Sequence, residues 1–504
     1  MALYVLSVLL FWSARLSAQP AQDPPRGAIV DKVTCQGDPG QSYALYLPST
    51  YSPDRKWPIL YAFDPGARGG VPVRRFADAA ERYGFIVVGS NNSRNGPLAV
   101  AQNALNAMLD DTRARFSLER KRLYVTGFSG GARVASVVGM VMPGEVAGVI
   151  AFGAGFQPGV APSPSLPFVY YAAVGIDDFN FPELQNLNRS LEKLDLPHRL
   201  DVFEGGHEWP SEIVCRHALE WMELQAMRSG LRTADAPLVE EMFARASAEA
   251  SADEAGGRKY QAFARYAAMA SDFAGLREVA PVEQKVRELE RSPEVAHAIA
   301  DLKDSVGKQE RLALRIERLA RGMVSSQDQS LALAELLAVV FSVKRQAAEA
   351  RQSPDRMAAR RVLTSSWLQF NEATTDDFDR GDFVQAAAHL RVMAVIRPEN
   401  AEVDYSLARA SARLGHRKEA LDALRRAVAK GFKDVDRLER EPDLALLKAD
   451  PAFHQILDNV RKEVAGRRPT SNGHDAAAAT SSARLSGSCV VDFGRPRFAT
   501  AVTS

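Results

Sequence analysis

The sequence predicts an α/β unit built on a mainly parallel sheet, followed by an all-α unit of helical repeats. Short apolar runs alternate with amphipathic stretches from residue 41 to about 228, the rhythm of strands joined by helical crossovers. From about residue 230 the composition turns to Ala, Glu, Arg and Leu with few strand formers and little Gly or Pro. At 504 residues, 46% hydrophobic and 25% charged, the chain can fill about two to three domains, so the change of composition is read as a domain boundary.

The elements follow in order. Ala2 to Trp12 is apolar and gives way to small and polar residues around Ser17 to Gln22, which reads as a secretory signal peptide over 1–22 and implies a secreted or periplasmic protein. That run is too short for a stable membrane span. Strands are expected at Tyr43–Leu47, Ile59–Phe63, Phe85–Val88, Leu123–Thr126, Val149–Phe152, Phe168–Val174 and Leu200–Phe203. Helices fit between them at Val73–Tyr83, Ala99–Phe116, Ala132–Met142, Pro182–Leu194 and Ser211–Met227. The α/β domain is thus placed at 23–230, a helical region at 231–365, helical repeats at 366–462 and a disordered tail, rich in Ala, Ser, Thr and Gly, at 463–504.

The fourth of these strands runs into Gly127-Phe128-Ser129-Gly130-Gly131, a Gly-x-Ser-x-Gly turn between a strand and a small-residue helix start. A turn this sharp lifts a serine hydroxyl clear of the backbone and needs flanking positions nearly free of side chain. Asp178, in Gly175-Ile176-Asp177-Asp178, and His207, in Gly205-Gly206-His207-Glu208-Trp209-Pro210, each follow a later strand. Ser, Asp and His in that chain order, all at carboxyl ends of strands, are the parts of a nucleophilic triad. His207 would take the Ser129 proton and return it to the leaving group, while Asp178 orients the imidazole and stabilises its charged form. Asp177 is the competing acid; His217 and His198 read as structural histidines.

An oxyanion hole needs two N–H donors. The Gly130 N–H is the expected first; the second is assigned to the loop Asp64-Pro65-Gly66-Ala67 after the Phe63 strand, either Ala67 or Gly66. The loop Ser90 to Pro97 falls on the same edge, and Asn92, Arg94, Phe128 and Trp209 are the candidate substrate-binding residues. Only a few Pro, Ser and Gly residues separate Phe152 from the next strand, so no lid is inserted there. An open site suited to bulky or polymeric esters is expected.

The Arg122-to-Gly131 run, the Gly175-x-x-Asp178 turn and the Gly205-to-Pro210 turn resemble the α/β-hydrolase superfamily, nearest to its polyhydroxybutyrate depolymerase and feruloyl esterase type. The resemblance spans about residues 40 to 228 and implies a serine esterase. The chain departs from that family at Asp64-Pro65-Gly66, where a His-Gly pair is usual.

In the helical part Gly381, Ala386 and Leu390 recur 34 residues later as Gly415, Ala420 and Leu424, with Pro398 closing the first unit. This period resembles tetratricopeptide repeats, which commonly present a concave face to a peptide or protein. The stretches Tyr260–Phe273 and Gln309–Leu319 are candidate degenerate repeats.

Composition narrows the classes further. Lys and Arg number 63 against 62 Asp and Glu, without a block of one sign, which disfavours a nucleic-acid or anionic-membrane partner. The three cysteines have no metal-ligand spacing, so neither a metal nor another cofactor is expected. Cys35 and Cys215 could pair in an oxidising compartment or remain separate thiols, and the sequence leaves both open. Three functions remain in view: a serine esterase, a hydrolase fold used as a binding scaffold, and a serine peptidase.

Overall fold

The computed structural model describes residues 24–325 and 329–465. The expected signal peptide lies outside the described residues, as do Cys489 and the tail from 466 onward. The last described helix runs to Ala465, so the expected start of the tail at 463 falls within a helix.

The α/β part comprises β1 (Ile29–Thr34), β2 (Ser42–Tyr46), β3 (Trp57–Phe63), α1 (Gly70–Tyr83), β4 (Ile86–Ser90), α2 (Leu98–Arg115), β5 (Leu118–Phe128), α3 (Gly130–Val141), β6 (Val146–Phe152), β7 (Val169–Gly175), α4 (Phe181–Lys193), β8 (His198–Phe203) and α5 (Glu212–Arg228). These strands form one eight-stranded sheet among the described residues, in the order β1-β2-β4-β3-β5-β6-β7-β8. The pairings β1–β2 and β2–β4 are antiparallel and all those beyond β4 are parallel. This is the mainly parallel sheet that the sequence predicts. Strand β1 was not expected; its exposed Asp31 and Lys32 suit an edge that must not pair further, and they hide the strand in an apolar scan.

The inner strands are apolar on both faces because helices cover both, as parallel sheets require. Tyr46, Leu60, Tyr124, Ile150 and Tyr171 share one core with α1 and α5, whereas Tyr43, Tyr61, Val125, Tyr170 and Val174 share another with α2, α3 and α4. The alternation of neighbours such as Tyr170 and Tyr171 between the two cores is the period-two geometry of a strand. Cys35 and Cys215 belong to different cores and both are buried free thiols, so the disulfide left open by the sequence does not form.

The helical part continues with α6 (Ala236–Ala255), α7 (Lys259–Asp272), α8 (Ala280–Glu290), α9 (Pro293–Ser325), α10 (Gln329–Ala347), α11 (Pro354–Arg380), α12 (Phe383–Ile396), α13 (Ala401–Arg413), α14 (Arg417–Ala429), α15 (Val435–Arg440) and α16 (Pro451–Ala465). It does not begin as a separate body at 231. Val239 and Met242 of α6, Tyr266 and Met269 of α7, and Phe273 just after α7 join the core with α1 and α5. A second helical core takes in the carboxyl half of α9 and everything from α10 to α16. Within it, α11/α12 and α13/α14 are consecutive helix pairs. Gly381 and Gly415 end the first helix or follow it with positive φ (73° and 80°), while Ala386 and Ala420 are fully buried where helices cross. These equivalent roles at one spacing explain the 34-residue register.

A half-buried charge network fastens α6 and α7 to the sheet. Tyr171 and Arg199 both bond Asp201, and His217 Nε2 lies 3.0 Å from Glu249 of α6, which also accepts from Arg216 at 2.6 Å and Arg265 at 2.8 Å. Burial pulls the His217 imidazole down, but its bonds to Asp201 and Glu249 outweigh this and lift its pKa from 6.5 to about 9. Asp272, half-buried in the same network, is pushed up to about 6 by desolvation. Because the folded pKa of His217 is the higher one, its contribution is full below about pH 6.5 and is lost as pH rises through about 9. Thermal unfolding is therefore expected to lose several degrees between pH 6.5 and 9.5, and His217→Gln to flatten that slope; equal slopes for the two proteins would contradict it.

Candidate active site

Each candidate catalytic residue stands just past the carboxyl end of a strand, where a parallel sheet directs its loops. Ser129 joins β5 to α3 with φ 53° and ψ −121°, a conformation seldom taken by a residue with a side chain. The turn closes only because its glycines are glycines. A Cβ on Gly131 would sit 2.0 Å from the Phe63 carbonyl oxygen, and one on Gly127 would sit 2.2 Å from the Gly131 carbonyl group. Strand β5 thereby passes directly into α3, with the Ser129 N–H held by the Phe152 carbonyl at 2.8 Å.

His207 Nε2 lies 2.9 Å from Ser129 Oγ, and its Nδ1 lies 3.0 and 2.9 Å from the two oxygens of Asp178. Asp178 is fully buried and also accepts the Asn180 N–H at 2.8 Å. Burial raises the Asp178 carboxyl above its ordinary value, and the bond to His207 opposes that rise. The competing Asp177 points elsewhere, its Oδ2 accepting from Arg360 at 2.8 Å. The His207 ring is held between Phe179 and Phe128, with centroids 4.3 and 4.6 Å away. His198 and His217 stand apart from Ser129, bonded to the Leu196 carbonyl and to Glu249 respectively.

Three expected roles need correction. Trp209 is buried, packs on Phe128 and Phe152, and donates its indole N–H to Asp64 at 2.7 Å; it supports the histidine turn from below and does not face substrate. Asn92 donates to the Gly40 carbonyl and accepts the Ser42 N–H, tying the loop after β4 to β2. Neither Gly66 nor Ala67 offers a free donor: the Gly66 N–H is bonded to Asp64 Oδ1 at 2.8 Å and the Ala67 N–H to the Asp64 carbonyl at 3.1 Å. Asp64, itself buried and paired with Arg68, organises this loop, which accounts physically for an aspartate at that position.

The Gly130 N–H, at the start of α3, has no acceptor among the described residues. Against it packs Asn95, so closely that a Cβ on Gly130 would meet Asn95 Oδ1 at 1.8 Å. Ser129, Gly130, His207, Phe128, Arg94 and Asn95 line one cleft of about 530 Å³. Arg94 and Asn95 belong to the loop expected on this edge; sequence reading missed Leu98 and Phe179 in the lining, and above all Ser365, Leu368, Gln369 and Glu372 of α11. The site is thus not the open one expected from the missing lid, since the helical part supplies a wall. Among the described residues no group of His, Cys, Asp and Glu is placed to hold a metal ion, and no helix is long and apolar enough to cross a membrane.

No family model matches the chain. A search of curated proteins likewise found no match. Among solved structures the chain is similar to an S-formylglutathione hydrolase from Staphylococcus aureus (13% identity, 40% of this chain and 98% of that one, TM-score 0.33). It is also similar to the feruloyl esterase module from Clostridium thermocellum (17%, 38% and 85%, 0.32) and an esterase from Mycobacterium marinum (18%, 38% and 81%, 0.30).

Proposed function

We propose that this chain is a serine hydrolase of carboxylic esters, of the α/β-hydrolase type, with Ser129 as nucleophile. The observation that carries the reading is the unbroken relay from Ser129 Oγ through both nitrogens of His207 to buried Asp178, set on a strained turn. His207 Nε2 takes the hydroxyl proton as Oγ attacks the ester carbonyl; the resulting imidazolium protonates the departing alcohol, leaving an acyl-enzyme. Water, activated by the same nitrogen, then releases the acid. Asp178 bonds the Nδ1–H and compensates the positive charge that builds on the ring. The Gly130 N–H, left without an acceptor among the described residues at the start of α3, stabilises the oxyanion.

The helix pairs α11/α12 and α13/α14 are tetratricopeptide-like repeats in this reading. Their period and buried small residues support it, and their role is to restrict the substrate and to present a surface to a protein partner. The apolar start of the sequence supports a secreted or periplasmic location. Hydrolysis of p-nitrophenyl acetate, butyrate and octanoate by the purified protein tests the reading. Steady turnover is expected, and a folded protein that turns over none of the three would contradict it.

A further inference from the structure

Helix α11 is fixed to the loop that carries the acid. Arg361, fully buried, donates from Nε to the Ile176 carbonyl at 2.7 Å and from Nη1 to Ser305 of α9 at 3.0 Å, and its guanidinium lies 3.9 Å from the centre of the Phe181 ring. Arg360 pairs with Asp177, and Gln309 of α9 donates to the Phe179 carbonyl at 2.8 Å. A buried guanidinium held by three groups, in the loop after β7, in α4 and in α9, is costly to misplace, so the position of α11 relative to Ser129 is set.

About two turns further along α11, Ser365, Leu368, Gln369 and Glu372 all line the cleft that holds Ser129. Their spacing of three, four and seven residues is that of a single helical face. Leu368 and, from a different element, Leu98 at the start of α2 are large apolar residues left 38% and 48% exposed, and both line this one cleft. Phe128 and Phe179 continue the apolar lining toward His207.

We propose that α11 forms a wall of the substrate site, and that the apolar group of an ester, either its acyl chain or its alcohol part, lies between Leu368 and Leu98 while its carbonyl meets Ser129. This rests on the reading of Ser129 as the nucleophile. The helical part is then a specificity determinant of the reaction.

The test is kcat/KM of Leu368→Asp against wild type in two series: p-nitrophenyl acetate, butyrate and octanoate, which vary the acyl chain, and ethyl, butyl and octyl acetate, which vary the alcohol. A carboxylate at this solvent-accessible helical position leaves the fold intact but must be desolvated by a long chain. In one of the two series the long-to-short ratio is expected to fall at least about tenfold, and that series identifies which part of the ester occupies the subsite. Val384→Asp, at a position of α12 that is 48% exposed and outside the cleft, should leave both ratios at the wild-type value. Ratios for Leu368→Asp within twofold of wild type in both series, from an active enzyme, would overturn the proposal alone. A folded wild-type protein that is inert in both series and that a fluorophosphonate does not label at Ser129 would overturn it together with the reading on which it rests.

Discussion

Ser129→Ala is expected to lower kcat for p-nitrophenyl butyrate by about four to six orders of magnitude with little change in KM. The alanine removes the only nucleophile within reach of His207 Nε2 among the described residues, yet it keeps the turn, because Cβ is the same and the strained φ of 53° is inherited. Losses of about a million-fold are typical when a triad serine is removed, and the remainder comes from binding and the oxyanion donors. The variant should unfold at the wild-type temperature, which separates lost chemistry from lost structure. A reduction smaller than about a hundredfold would mean that another group attacks the ester.

Asp178→Asn is expected to cost about ten-thousandfold in kcat, whereas Asp177→Asn is expected to cost less than about tenfold. The amide cannot hold His207 in the tautomer that leaves Nε2 free to accept the serine proton, and it cannot compensate the imidazolium. The adjacent residue makes the contrast stringent, since the two aspartates share a turn but not a partner: Asp178 meets His207 and Asp177 meets Arg360. Equal losses in the two variants would indicate that the turn as a whole, and not one carboxylate, supports the reaction.

The parts of the site that could be read from sequence are those whose geometry is local. A strand, a glycine-flanked serine and a helix start are contiguous, and the acid and base each follow their own strand, so strand ends alone placed Ser129, Asp178 and His207 on one edge. Trp209 and Asn92 were assigned to substrate because aromatic and polar residues beside a site carry the same signature whether they face the cleft or brace it. The indole bond to Asp64 and the Asn92 bonds to Gly40 and Ser42 join segments distant in the chain, which periodicity does not reveal. The same holds for the oxyanion loop, where the Asp64 carboxylate consumes the Gly66 donor that the motif made available.

The helical part was legible as helices and as a 34-residue register, but not in its attachment. Helices α6 and α7 read as the start of a separate region, yet Met242, Tyr266 and Met269 complete the core under α5. Nothing in the amphipathic pattern of α11 distinguishes a face turned to solvent from one turned to a cleft, so the sequence gives no signal for Leu368. Its meaning emerges only when Arg361 is seen anchored to the carbonyl of Ile176, two residues before the acid.

Every step of the proposed reaction depends on activation of the Ser129 hydroxyl by His207. The most direct test of that activation is reaction of the folded protein with a fluorophosphonate, followed by mass spectrometry of the intact chain and of its peptides. One adduct per chain is predicted, mapped to the peptide containing Phe128-Ser129-Gly130, absent from Ser129→Ala and formed far more slowly by His207→Ala. A folded wild-type protein that stays unlabelled, or an adduct on a different residue, would contradict the account.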